Sequence, residues 1–135
     1  MTPTHCLDAC ATIAYLRKEP GAEVLKRIIE QPDAFLAMHV CNLGEVYYDF
    51  FREDGIEAAQ TAWASTTSLP LILRRDTDDD FVQRVGVIKV NERVSLADAF
   101  ALALSERLRA PLVTTDHHEF DPIEQKGRFQ FLWLR

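Results

Sequence analysis

The sequence predicts an α/β fold with a central, mainly parallel sheet. Short apolar runs alternate with segments of helical periodicity along the whole chain, the pattern of strands joined by helical crossovers. The runs "LVTT" and "FLWL" read as strands buried on both faces, as parallel strands are. Aspartates close two strand candidates, Asp8 after "HCL" and Asp116 after "LVTT". In such folds, sites gather at the carboxyl ends of strands, where the strand order switches.

Each element has its own signal. "HCLDA" is a short strand ending at Asp8. "CATIAYLRK" places Ile13 and Leu16 on one helical face and stops before "EPG". "GAEVLKRIIEQ" is a second helix with Val24, Leu25, Ile28 and Ile29 apolar, and "AFLAMHV" a second strand. "NLGEVYYDFFRED" spaces Leu43, Val46, Tyr47 and Phe50 as a helix does, with Asn42 as its cap. "GIEAAQTAWASTTS" continues as helix, and "PLILRR" is a strand. "DTDDDFVQRVGVIKVN" is a helix with acids at its start and Phe81, Val85 and Ile88 inward. "SLADAFALALSERLR" is the clearest helix, "APLVTTD" a strand and "FQFLWLR" the last strand.

No repeat, low-complexity tract or linker interrupts this order, and 135 residues is the length of one domain, read here as residues 1–135. An apolar content of 47% supplies a core and argues against long disorder. No apolar run approaches about 18 residues, so no membrane span is expected. The opening "MTPTHCLDAC" lacks the regions of a signal peptide. Cys6, Cys10 and Cys41 are odd in number and without metal-like spacing, which fits free thiols in a reducing cytoplasm. The formal charge of -6 argues against a general nucleic-acid coat, unless some acids serve as metal ligands.

Four carboxylates stand out, each with a plain alternative role. Asp8 and Asp116, after strands, also suit helix caps. Asp98 follows Ser95 in a capping-box-like Ser-x-x-Asp, where it can serve its own helix end and still project into a cleft. Glu45, after Gly44 near a helix start, also suits a solvated surface. Together they come from two strand ends and two helix starts. Hard divalent cations take oxygen ligands, and metal-assisted phosphodiester hydrolysis needs acids from several segments. His117 and His118, with His5 and Cys6, raise zinc as an alternative. Adjacent histidines diverge on a helix, however, and no HxxxH or CxxC spacing supports them. A phosphatase lacks its Asp-x-Asp pair here, because Cys10 stands two after Asp8. A receiver domain lacks its paired acids and its lysine. Asp121 reads as a turn residue before Pro122.

The segments "LDACATIAYLRKEPGAE", "NLGEVYYDFF", "RVSLADAFALALSERLRAPLVTTDHHEFD" and "FQFLWL" together resemble a PIN domain, and within that family the bacterial VapC-type toxin nucleases. The resemblance runs from Asp8 to Leu134. It implies a three-layer α/β/α fold whose five-stranded sheet has the order 3-2-1-4-5, with strands one and four adjacent at the switch point. It implies an endoribonuclease dependent on Mg²⁺ or Mn²⁺, usually a homodimer, often inhibited by an antitoxin encoded beside it. The family's metal-binding and catalytic acids fall on Asp8, Glu45, Asp98 and Asp116, and a supporting hydroxyl on Thr114. Cys10 departs from the small polar residue the family often has there. Arg17, Lys18, Arg74, Arg75, Lys89 and Arg93 are candidate contacts for RNA phosphates. Tyr47, Tyr48, Phe50, Phe51 and Trp63 suit core packing, with some left to face a partner protomer or antitoxin. A PIN-fold module that binds RNA or protein without turnover is the alternative, against which the presence of all four acids counts.

Overall fold

The computed structural model describes residues 2–135. Its strands are β1 (His5–Leu7), β2 (Leu36–His39), β3 (Leu71–Arg74), β4 (Leu112–Thr114) and β5 (Phe131–Trp133). They form one sheet of order β3-β2-β1-β4-β5, parallel at every pairing. The helices are α1 (Ala9–Leu16), α2 (Ala22–Ile29), α3 (Val40–Asp54), α4 (Ile56–Thr67), α5 (Asp79–Glu92), α6 (Leu96–Leu108) and α7 (His117–Glu124). This is the strand order that the resemblance implies.

Side chains alternate across a strand with a period of two, and that alternation divides the core. Cys6, Ala37, Leu112, Phe131 and Trp133 join the core closed by α5, α6 and α7, which contribute Phe81, Val85, Ile88, Leu102, Phe120 and Ile123. Leu7, Leu36, Met38, Val113 and Leu132 join the core closed by α1 to α4, through Ala11, Leu25, Leu43, Val46 and Ala62. Helices therefore cover both sheet faces. Each large side chain buried this way contributes about 1.5–3 kcal/mol. With strands of three or four residues, the two cores outweigh the hydrogen-bond ladder. The inward residues of α5 are those its spacing predicts.

Some expectations are corrected. β5 is half-buried rather than buried on both faces, because it ends the strand order and has one neighbour. Helix α3 begins at Val40, and His39 caps it instead of Asn42: Cys41 N–H donates to His39 Nδ1 at 3.1 Å. Gly55, at φ +94, separates α3 from α4. Asp121 lies inside α7 rather than in a turn, 2.8 Å from His117 Nδ1. At the α1–α2 turn, Gly21 has φ +97, and a Cβ there would stand 2.6 Å from the Leu134 carbonyl oxygen. Only glycine suits that close approach. Among the described residues, no helix is long and apolar enough to cross a membrane.

Candidate functional site

Adjacent β1 and β4 bring the chain after each strand to one end of the sheet, and Asp8 N–H donates to Val113 O at 3.3 Å. Asp8 caps α1: its Oδ1 accepts from Ala11 N–H at 2.8 Å. The residue is 2% exposed, and its Oδ2 is buried without a hydrogen-bond partner. Asp116 caps α7, accepting from Glu119 N–H at 3.1 Å. Its own N–H donates to the buried Thr114 Oγ1 at 3.1 Å. Asp98, half-buried in the first turn of α6, donates its N–H to Ser95 Oγ at 3.1 Å. Both cap assignments and the Ser95 cap are therefore present.

Glu45 sits half-buried in the second turn of α3. Asn42 Nδ2 donates weakly to Glu45 Oε1 at 3.5 Å and more closely to Ala97 O at 3.1 Å. That amide ties α3 to α6 beside Asp98. Its Oδ1 is buried without a partner. Reading Asn42 as a cap misses this role, whose one sequence signal is its spacing of three from Glu45 on a helix.

The electrostatics join the acids more firmly than any direct contact. Burial pushes Asp8 up to about 7, with Asp98 and Asp116 adding repulsion against the help of Ala11 N–H and the nearby Thr114 hydroxyl. That hydroxyl favours the charged form without closing a regular hydrogen bond to Oδ2. Burial likewise pushes Asp98 up to about 6, against Ser95, with Glu45, Asp116 and Glu119 repelling. Glu45 is raised by burial and by Asp116, against the Asn42 bond. The half-buried Cys10 thiol is raised by burial and then by Asp8, Asp116, Asp98 and Glu45. All four acids thus act on one sulfur. Among the described residues, no three His, Cys, Asp or Glu side chains close on a common point at ligating distance.

Other candidate groups are engaged elsewhere. His117 stacks on Trp133 at 3.8 Å and places its ring nitrogens 2.8 Å from Asp121 Oδ1 and 2.7 Å from Arg135 O. Arg17 pairs with Asp49 and Asp54, Arg74 pairs with Asp76, and Lys89 donates to Val94 O. Lys18, Arg75 and Arg93 are exposed. Phe50 and Trp63 pack against the α1–α4 core, while Tyr48 and Phe51 are exposed. A groove of about 890 Å³ between α1, α2 and α4 contains none of the four acids. Ser95→Ala is expected to lower stability by about 1 kcal/mol through loss of the α6 cap, read as a fall in Tm.

The strand order, with helices on both sheet faces, defines a three-layer α/β/α domain in which Asp8 and Asp116 follow the two strands at the switch point. The chain belongs to the PIN domain family, a nuclease family, whose model matches residues 5–125. No curated protein matches it. Among solved structures, it shares its fold with a chain of VapBC2 from Rickettsia felis, determined bound to a DNA fragment from their promoter. There the TM-score is 0.72 at 14% identity, over 96% of this chain and 97% of that one. VapBC-1 from nontypeable Haemophilus influenzae gives 0.68 at 20% identity over 96% and 97%. VapC20 from Mycobacterium tuberculosis, described as a sarcin-ricin loop cleaving toxin, gives 0.68 at 18% identity over 94% and 97%. These structural neighbours are VapC toxins of VapBC toxin-antitoxin systems.

Proposed function

We propose that the protein is a metal-dependent endoribonuclease that hydrolyses RNA phosphodiester bonds as the toxin of a toxin-antitoxin pair. One observation carries this reading. Asp8 and Asp116 follow the adjacent strands β1 and β4 and cap the helices after them, Glu45 and Asp98 stand on α3 and α6, which the Asn42 bond to Ala97 O joins, and Asp8 Oδ2 is sealed from water without a donor. A buried oxygen left so costs about 1–3 kcal/mol, and a cation would offset it. The donor set is all hard oxygen, which fits Mg²⁺ or Mn²⁺.

Asp8, Asp98 and Asp116 would hold the ion or ions, with Glu45 completing the site directly or through water. Bound there, a divalent cation supplies Lewis acidity, easing deprotonation of the attacking water and offsetting charge that grows on the phosphodiester. The chain's residues fix the rest. The Ala11 N–H holds Asp8 Oδ1 and leaves Oδ2 as the free oxygen. Thr114 fixes the backbone at Asp116. Asn42 steers Glu45 Oε1, and burial raises the proton affinity of Glu45, which suits it to take a proton from water. Lys18, Arg75 and Arg93 remain as exposed bases for RNA phosphates.

An antitoxin partner is supported by the neighbours, among them the VapBC complexes and a toxin-antitoxin complex from Klebsiella pneumoniae. A homodimer follows from the same family reading. RNA cleavage in Mg²⁺ or Mn²⁺ that stops in EDTA is the expected result. RNA affinity that persists in EDTA, with no cleavage in either metal, would instead establish a binding module.

A further inference from the structure

We infer that Gly44 and Tyr48 form a shelf on α3 that holds an unpaired base of the RNA beside the bond to be cut. This deepens the reading above and rests on it for the identity of the substrate. Tyr48 is 53% exposed, on the side of α3 away from the buried Asn42, Leu43 and Val46. It stands three residues after Glu45, about 4.5 Å further along the axis, and four after Gly44. Side chains on a helix lean toward its N-terminus and cover the preceding turn. The Tyr48 ring therefore leans toward Glu45 and over Gly44. Arg52, four residues on, holds its guanidinium 5.7 Å from the ring centroid. It backs the ring from the C-terminal side and leaves the side toward Gly44 open.

Gly44 is the bare floor of the shelf. It is exposed and lies inside the helix, where glycine is less stable than alanine. A Cβ there meets nothing within 4 Å, and the backbone is not left-handed. Nothing inside the chain therefore calls for a glycine at this position. A missing side chain beside an exposed ring leaves a slot for a flat group, and two features identify that group as a base. The slot opens next to Glu45, the acid suited to take a proton from the attacking water. Its walls also carry no net charge. Cys41, Gly44 and Tyr48 are neutral residues, and the Arg52 charge is balanced by Asp49 at 2.8 Å and Glu53 at 3.2 Å. Four acids repel a phosphate, and Arg17, Arg74 and Lys89 are bound elsewhere. A stacked base meets neither obstacle. Aromatic rings hold unpaired bases whatever their identity, so the shelf contributes affinity rather than sequence choice.

Binding and cleavage of single-stranded RNA by the full chain test the shelf. The probe is a fluorescent oligouridylate, read by anisotropy in EDTA and by cleavage in Mn²⁺. Tyr48→Ala is expected to weaken binding and to raise KM about tenfold, with kcat little changed. Tyr48→Trp is expected to keep both near the wild-type value, because the stack survives. Gly44→Leu fills the slot with a good helix former, so KM is expected to rise about tenfold while Tm holds or increases. A purely structural glycine would give the reverse, a lower Tm with KM unchanged. Both positions are exposed, so melting curves serve as the folding control. Iodouridine placed in the same RNA is expected to photocrosslink to the peptide that contains Tyr48. Cleavage with the same KM by Tyr48→Ala and wild type overturns the shelf, gives that face to a protein partner and leaves the nuclease standing. A crosslink at Tyr48 without cleavage by the wild type in Mg²⁺ or Mn²⁺ supports the shelf and overturns the nuclease reading. A wild type that neither binds nor cleaves the RNA overturns both.

Discussion

Asp8→Asn is expected to reduce RNA cleavage by about a thousandfold or more in a protein that still folds. A site of this type derives several kcal/mol of barrier lowering from its cation, and each 1.4 kcal/mol is about tenfold in rate. Asp8 is the acid whose free oxygen is most fully withdrawn from water, so neutralising it removes the strongest reason for a cation to bind. The fold is preserved because asparagine caps a helix as well as aspartate does, and the bond from Ala11 N–H to Oδ1 survives. Cleavage at the wild-type rate by a folded Asp8→Asn protein in Mg²⁺ would refute the mechanism.

The metal-free protein is expected to lose stability as pH rises from about 4 to 7. Asp8 and Asp98 are held above the usual carboxylate range, at about 7 and about 6, mainly by burial. Between those values and the ordinary value of 3.8, the folded state binds more protons than the unfolded state, so stability falls with rising pH. The stabilising contribution is complete below about pH 4 and is lost as pH passes through about 7. At 1.4 kcal/mol per pKa unit, the loss from Asp8 alone is on the order of 4 kcal/mol, or about 15 °C in Tm. His117, raised by Arg135 O and then Asp121, loses stabilisation in the same direction. Asp76 and Asp78 are lowered, by Arg74 and Arg107 respectively, so their contribution is lost only in more acid solution. Melts with and without Mn²⁺ isolate the site. Mn²⁺ is expected to raise Tm most at pH 8 and to flatten the slope, and Asp8→Asn to flatten it without metal. A metal-free slope identical in Asp8→Asn and wild type would overturn the assignment of that slope to Asp8.

Local signals in the sequence were enough for much of this structure. Ser95 and Asp98 define the start of α6 through a pattern four residues long, and the inward set of α5 follows from spacing alone. The sheet order, by contrast, is legible only through the family resemblance, since no run of apolar residues encodes its neighbours. β5 shows the limit: "FLWL" carries the composition of a central strand yet lies at the edge. Asn42 shows another. Its amide reaches Ala97, 55 residues away, and a local reading sees only a helix start. The bases fail for the same reason, since the acids that hold Arg17 lie 32 and 37 residues along the chain.

The stack of His117 on Trp133 has a spectroscopic consequence. The chain has two tryptophans, and Trp63 sits in the other core, edge-on to Tyr47 at 6.0 Å. A protonated imidazole in contact with an indole quenches its emission, and both nitrogens of His117 face acceptors that favour the protonated ring. Trp133 is therefore expected to be the dimmer fluorophore of the pair wherever His117 is protonated, and to brighten when the stack opens. Because His117 directly follows Asp116, that brightening is expected to give an unlabelled optical record of movement at the start of α7.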